Sequence, residues 1–203
     1  MDSRRSLERT VADQAYEDDL IRRVAAKAVV DEPRRGNPLR PPVLSADCDR
    51  VEQLLGFCLH PLLRRLYTEV GNGGWGPGYG LLPLFGSPGR AVVSEGITRP
   101  QRVVELAPDE CRAWPLDVVA ISNWGCAMSA AVDCRTVGGT VLLHEPNADP
   151  PDPADTRFVD AESLADWLET WLAGTGWYRE LGPDEEPPEF GMRPWAQATA
   201  RLS

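Results

Sequence analysis

Apolar residues recur at helical spacing in five stretches of the chain. Over residues 4–30, Leu7, Val11, Ala15, Leu20, Ile21, Val24 and Ala28 make a thin, drifting stripe among charges. That pattern predicts one long helix that docks on the domain or on a partner. Pro33, Gly36, Pro38, Pro41 and Pro42 follow and predict a connector that is not helical. A short helix is predicted over residues 45–56, with Ser45 or Asp47 as cap, Val51, Leu54 and Leu55 facing inward, and Gly56 as its end. Pro61 opens the next helix, 61–70, in which Leu62, Leu63, Leu66, Tyr67 and Val70 form the buried face and Gly71 closes the last turn in a left-handed conformation. Val103, Val104 and Leu106 support a weaker helical pattern over residues 100–111. The last helix has the widest stripe, Leu164, Trp167, Leu168, Trp171 and Leu172, between a cap at Asp160 and a stop at Gly174, and is expected to cover a sheet.

The sheet comes from three strand-like runs, 117–122, 126–134 and 140–144. Asn123-Trp124-Gly125 and Val137-Gly138-Gly139 separate them as turn formers, so the spacing predicts an antiparallel meander. In the middle run Met128, Ala130 and Val132 point one way, and Ala127, Ser129, Ala131 and Asp133 the other. The small side chains of the second set imply that something packs closely on that face. A further apolar run at 80–85 reads as a strand, residues 145–160 as a Pro- and acid-rich loop, and residues 181–203 as a loosely held tail.

Between the helix at 61–70 and the run at 81–85 lies Gly71-Asn72-Gly73-Gly74-Trp75-Gly76-Pro77-Gly78-Tyr79-Gly80. Glycine at six of these ten positions marks a loop of particular shape rather than a spacer, because glycine serves where φ must be positive or where a Cβ would collide. A phosphate-binding loop runs from a strand into a helix N-terminus; this one leaves a helix C-terminus, and no Lys-Ser/Thr pair closes it. A fixed helix-to-strand corner is therefore favoured over a nucleotide site. Within it, Asn72 is expected to bond the helix end or the turn backbone.

Length and charge narrow the function classes. At 203 residues the chain is long enough for one well-filled core. Its start lacks the apolar segment of a secretory signal, and no apolar run approaches the roughly 20 residues of a membrane span, so a cytoplasmic protein is expected. A net charge of -10 opposes binding to nucleic acid and suits a basic partner or simple solubility. Five cysteines with no C-x-x-C pair fit reduced thiols, and neither a metal nor another cofactor is expected.

Four segments together carry a family resemblance: Leu62-Leu63-Arg64-Arg65-Leu66-Tyr67 running on to Asn72-Gly73-Gly74-Trp75-Gly76-Pro77-Gly78-Tyr79-Gly80-Leu81-Leu82-Pro83-Leu84, Ile121-Ser122-Asn123-Trp124-Gly125-Cys126, Val132-Asp133-Cys134, and Ser163-Leu164-Ala165-Asp166-Trp167-Leu168. Over about residues 45–175 the chain resembles the SUKH superfamily, which joins the fungal Smi/Knr cell-wall regulators to bacterial immunity proteins of polymorphic toxins. The resemblance implies an α+β domain with a curved, mostly antiparallel sheet backed by helices, and no enzyme activity. It carries over no catalytic residue. The implied organisation is an extra N-terminal helix and linker at 1–36, a SUKH-like domain at 37–180, and the tail at 181–203. The implied function is binding: neutralisation of a cognate toxin, basic and often a nuclease, or else scaffolding with the N-terminal helix as a docking arm.

Candidate partner-binding residues are Trp75, Tyr79 and Trp124, which fall in predicted turns, and Asp149, Asp152 and Asp155 in the acidic loop. Rigid exposed aromatics anchor interfaces, and acids complement a basic toxin face. The same aromatics read more readily as plugs at the ends of the core, because corners beside glycine are usually packed. Gly71, Asn72, Gly73, Gly74, Gly76, Pro77, Gly78 and Gly80 are the structural motif that holds them. The remote enzymatic alternative is a thiol hydrolase, in which Cys126 or Cys134 would face His144 across the meander.

Overall fold

The computed structural model describes residues 2–35, 39–86, 91–94, 114–146, 156–178 and 192–202. The chain begins with α1 (Asp2–Arg35), α2 (Ser45–Leu55) and α3 (Pro61–Arg65), the last continuing into a π-helical turn (Leu66–Val70). Two short parallel strands follow, β1 (Phe85–Gly86) and β2 (Val93–Ser94). Then come β3 (Val118–Gly125), β4 (Met128–Asp133), β5 (Thr140–His144) and β6 (Arg157–Ala161), the covering helix α4 (Leu164–Ala173), β7 (Arg193–Pro194) and α5 (Ala198–Leu202). Strands β3 to β7 form one antiparallel sheet in chain order, so the architecture is α+β.

The helix ends follow local chemistry, with three departures from expectation. At α2 the cap is Leu44, and Asp47 closes the box by accepting from the Leu44 N–H at 3.0 Å, while Ser45 is the first helical residue. Gly56 ends α2 in the left-handed region, as expected. Helix α1 runs through Pro33 to Arg35, two residues beyond the proline, because a missing N–H and a ring clash act on the preceding turn and only bring a helix close to its end. Gly71 does not take the left-handed cap; its φ of 166° is extended backbone. The π turn closes instead through the Gly71 N–H to the Leu66 carbonyl at 3.2 Å. Glycine is required there by space, since a Cβ would lie 2.6 Å from the Arg40 carbonyl oxygen.

The N-terminal helix is part of the core. Leu20, Ile21, Val24 and Ala28 are buried in the cluster that holds Leu62, Leu63, Leu66, Trp75, Trp167, Leu168 and Trp171. Around that seam Arg65 pairs with Glu17, Asp18 and Glu69, and Arg23 pairs with Asp19 and Glu169. Exposed pairs of this kind fix register more than they add stability, so the four buried apolar residues hold the helix down.

The meander is as expected in order but not in its first turn. Strand β3 extends through Asn123 and Trp124 to Gly125, and the turn is Cys126-Ala127, both with positive φ as a two-residue type I′ hairpin requires. The register slips twice along β3, at Ile121 and at Trp124, so Trp124 sits at a bulge rather than in a loop. The run at 80–85 is mostly not a strand: Leu81 makes a single bridge to Ser122, and only Phe85 enters β1. Pro83, which has no amide to donate, interrupts a continuous ladder there. Residues 157–160, expected as the end of a loop, belong to β6, because Phe158 and Val159 find partners in Leu143 and Leu142. Both faces of β4 are covered: Ala130 and Val132 face the main core, and Ala131 faces a smaller cluster with Trp114, Val118, Leu142, Trp195 and Ala198. Residues 192–202 are accordingly a docked strand and helix where a loose tail was expected, drawn in by Trp195. The weak helix predicted at 100–111 lies outside the described residues.

The glycine corner packs too tightly to accept a methyl group. At Gly78, with φ at +57°, a Cβ would fall 2.2 Å from two ring atoms of Trp124. Gly78→Ala should cost the left-handed strain plus overpacking, about 3 kcal/mol in all. Gly56→Ala, at φ +80° with nothing within 4 Å, should cost only the strain, about 1 kcal/mol. Urea unfolding of both variants checks the ranking, and equal losses would show that the corner yields.

Candidate functional site

The loop from Gly71 to Leu84 is pinned by its own backbone. Gly74 N–H donates to the Leu81 carbonyl and Leu81 N–H to the Trp75 carbonyl, each at 2.7 Å, so the loop is stapled across its base. Asn72 Oδ1 accepts from the Leu84 N–H at 2.9 Å, Tyr67 donates its hydroxyl to the Leu82 carbonyl at 2.7 Å, and Leu82 N–H bonds the Ile121 carbonyl on β3. Asn72 thus serves the turn backbone, as its sequence context implies.

The three aromatic candidates separate. Trp75 is fully buried, donates from Nε1 to the Gly71 carbonyl at 3.1 Å, and lies 6.1 Å from the Trp171 ring. It plugs the core and presents nothing to a partner. Tyr79 is 72% exposed at the loop tip, with its ring against Gly125. Trp124 is half-buried: Gly78 lies on its face, Tyr178 sits 4.8 Å away at 32°, Trp177 at 5.0 Å and Trp167 edge-on at 6.4 Å. Asp149, Asp152 and Asp155 lie outside the described residues. Among the motif residues, Gly73, Gly74, Gly76, Gly78 and Gly80 all have positive φ, and Pro77 accepts the Gly80 N–H at 2.9 Å.

Beneath this aromatic group lies a carboxylate that sequence reasoning assigned to a helix cap. Asp160 is on β6, and its two oxygens accept the Trp167 indole N–H at 2.8 Å and the Trp177 indole N–H at 3.0 Å. The cap of α4 is Ser163, which accepts from the Asp166 N–H at 3.0 Å. Burial pushes the Asp160 carboxyl above its ordinary range, against the two indole donors that favour the anion. Burial likewise pushes the Tyr178 hydroxyl up to about 12. Trp177, Tyr178 and Asp160 were not singled out in the sequence. A usable signal is the need of each half-buried indole N–H for an acceptor, which makes an acid on a neighbouring strand worth seeking.

The thiol hydrolase geometry does not form at Cys134. Ser129 pairs with His144 and Asp133 with Thr140, so Cys134 and His144 are at opposite ends of the hairpin, roughly 16 Å apart along it. Cys134 lies near His60 instead, and burial pushes its thiol up to about 12, away from the thiolate a nucleophile needs. Cys126 is exposed on the β3–β4 turn. Among the described residues, no three of His, Cys, Asp and Glu gather as a metal site, and no helix is long and apolar enough to cross a membrane.

The geometry therefore defines a stiff loop that presents an aromatic ring beside a braced aromatic cluster, on an α+β domain. The model of the SMI1 / KNR4 family (SUKH-1) matches residues 42–170, more than half of the chain, and the protein belongs to that family. Neither the curated proteins nor the solved structures searched gave a match.

The Asp160 arrangement has a testable sign. A carboxyl whose folded-state pKa is raised contributes most below its unfolded pKa and loses that contribution as pH rises through the folded value. Stability of the native chain relative to Asp160→Asn should thus be greatest below the ordinary carboxyl range and fall as pH rises through the raised folded value, with a slope of at most about 1.4 kcal/mol per pH unit. Paired urea titrations read this directly, and a difference that grows with pH would contradict it.

Proposed function

We propose that the protein is a non-catalytic binding protein of the immunity type, which neutralises a cognate, basic toxin domain by occupying its working surface. The single observation that carries the reading is Tyr79, an exposed aromatic ring on a loop whose backbone is stapled on both sides, within a chain of the SMI1 / KNR4 family. Rigid aromatics gain contact area at little cost in conformational entropy, which is what an interface anchor needs. The net charge of -10 supports a basic partner through faster encounter and selection against acidic competitors. Asp149, Asp152 and Asp155 would add to that field as proposed contacts. Scaffolding through a free N-terminal arm has less support, because Leu20 to Ala28 of α1 bury themselves in the chain's own core.

The reading assigns opposite outcomes to two aromatic residues. Tyr79→Ala should weaken binding to the cognate toxin domain, sought among the products of neighbouring genes, by about 30-fold or more while leaving the unfolding midpoint in place. Trp75→Ala should instead lower stability by about 3–5 kcal/mol, as a large core truncation does. Calorimetric titration with co-expressed, inactivated toxin measures the first and urea unfolding the second. Undiminished affinity for Tyr79→Ala would remove the loop from the interface.

A further inference from the structure

The second face of the sheet is closed by residues that the family domain does not include. The family match ends at residue 170, whereas the cover is residues 192–202. This cover is slight. Strand β7 pairs with β6 at two positions, Phe158 with Pro194 and Val159 with Arg193, one further backbone bond runs from the Trp195 N–H to the Arg157 carbonyl at 2.8 Å, and α5 has five residues. Its buried side chains, Trp195 and Ala198, contact Trp114, Val118, Ala131 and Leu142 in a cluster separate from the main core. The main cluster, among the described residues, draws nothing from 192–202.

At one end of that face is a buried carboxylate. Asp133 is 1% exposed; its Oδ1 accepts from the Arg135 N–H at 3.2 Å, and its Oδ2 takes the guanidinium of Arg201. The second nitrogen of Arg201 donates to the Leu116 carbonyl at 2.7 Å, and the guanidinium lies 5.0 Å from the centre of the Trp195 ring. An acid this deep needs a cation, and the fork between a carboxylate and a carbonyl, laid over an indole, is met by a planar guanidinium and not by an ammonium. The face is thus a formed receptor for a short segment carrying an aromatic residue and an arginine.

We propose that the outer face of the sheet is a docking surface for an arginine-bearing segment of a partner protein, and that residues 192–202 occupy it in cis as a displaceable cover. Binding there is a competition: the partner must displace the chain's own Trp195 and Arg201, so affinity is set by the difference between the two occupants. The inference does not depend on the Tyr79 loop or on what the partner does.

The test uses the full-length chain with Trp195→Ala and Arg201→Ala together, and a labelled peptide with the sequence of residues 192–203 as probe. By fluorescence anisotropy the double variant should bind the peptide at least about tenfold more tightly than the native chain, whose cover competes. Arg201→Lys in the peptide should lose about tenfold or more of that affinity. Equal binding to both proteins, or an indifferent lysine peptide, would overturn the proposal. A double variant that self-associates and takes no peptide would overturn it in favour of a second copy as occupant. Hydrogen exchange on the native chain guards against a variant that unfolds: amides of 195–202 should open more readily than those of α4, and a single shared opening would show the cover to be integral and the proposal wrong.

Discussion

The structure depends on one close approach, that of the glycine corner to the edge of β3. Backbone replaces side chain along this line: Leu82 bonds Ile121, Ser122 Oγ donates to the Gly80 carbonyl, and Gly78 rests on the face of Trp124. With no Cβ in the way, the loop can lie on the indole and its own carbonyls can staple it. From that contact the helical layer and the sheet acquire a fixed offset. The corner that follows the π turn is tied to β3 by the Leu82 N–H to the Ile121 carbonyl at 2.7 Å and by the buried Ser122 hydroxyl to the Gly80 carbonyl at 3.0 Å. Buried, well-aligned bonds of this kind are costly to leave unmade, so the corner has few alternative arrangements.

A second constraint works from below. The indoles of Trp167, on α4, and Trp177, just beyond it, converge on the Asp160 carboxylate, which ties the covering helix to β6 and places both rings around Trp124. Tyr178 completes the group, within 3.4 Å of the Thr170 hydroxyl. Large apolar rings with polar handles specify orientation as well as burial, and here the handles of Trp167, Trp177 and Tyr178 each find a partner. The exposed Tyr79 therefore stands on a base whose parts are mutually oriented.

What could be read from the sequence was local and periodic. The stripes of α2, α3 and α4 appear at their spacing, as does that of α1 from Leu20 to Ala28 though Ala15 is exposed, and the meander appears in its alternation, because burial of one face is written into neighbouring residues. The glycine motif was legible as a shaped corner for the same reason. Its details were not: Gly71 is needed for space and not for φ, a fact that depends on Arg40, thirty-one positions earlier. Trp75 and Trp124 looked alike in the chain, yet one is enclosed by Trp171 and the other rests half-open on Gly78. Strand β6 was hidden by its proline- and acid-rich approach, and the docking of 192–202 by its prolines, since the partners that bury Phe158 and Trp195 lie on distant segments. Tertiary pairing decided each of these against local composition.

The bridge between Leu81 and Ser122 has a consequence for behaviour at high concentration. Strand β3 is a border of the sheet, and a border with free amides and carbonyls invites another molecule to add a strand. Here a stretch of irregular, glycine-kinked chain lies along part of that border and consumes hydrogen bonds that an intruder would use. At the other border, β7 is two residues long and ends in Pro194, which offers no amide. Both margins are thereby poor templates for lateral growth, so the sheet is guarded against adding strands from a second copy.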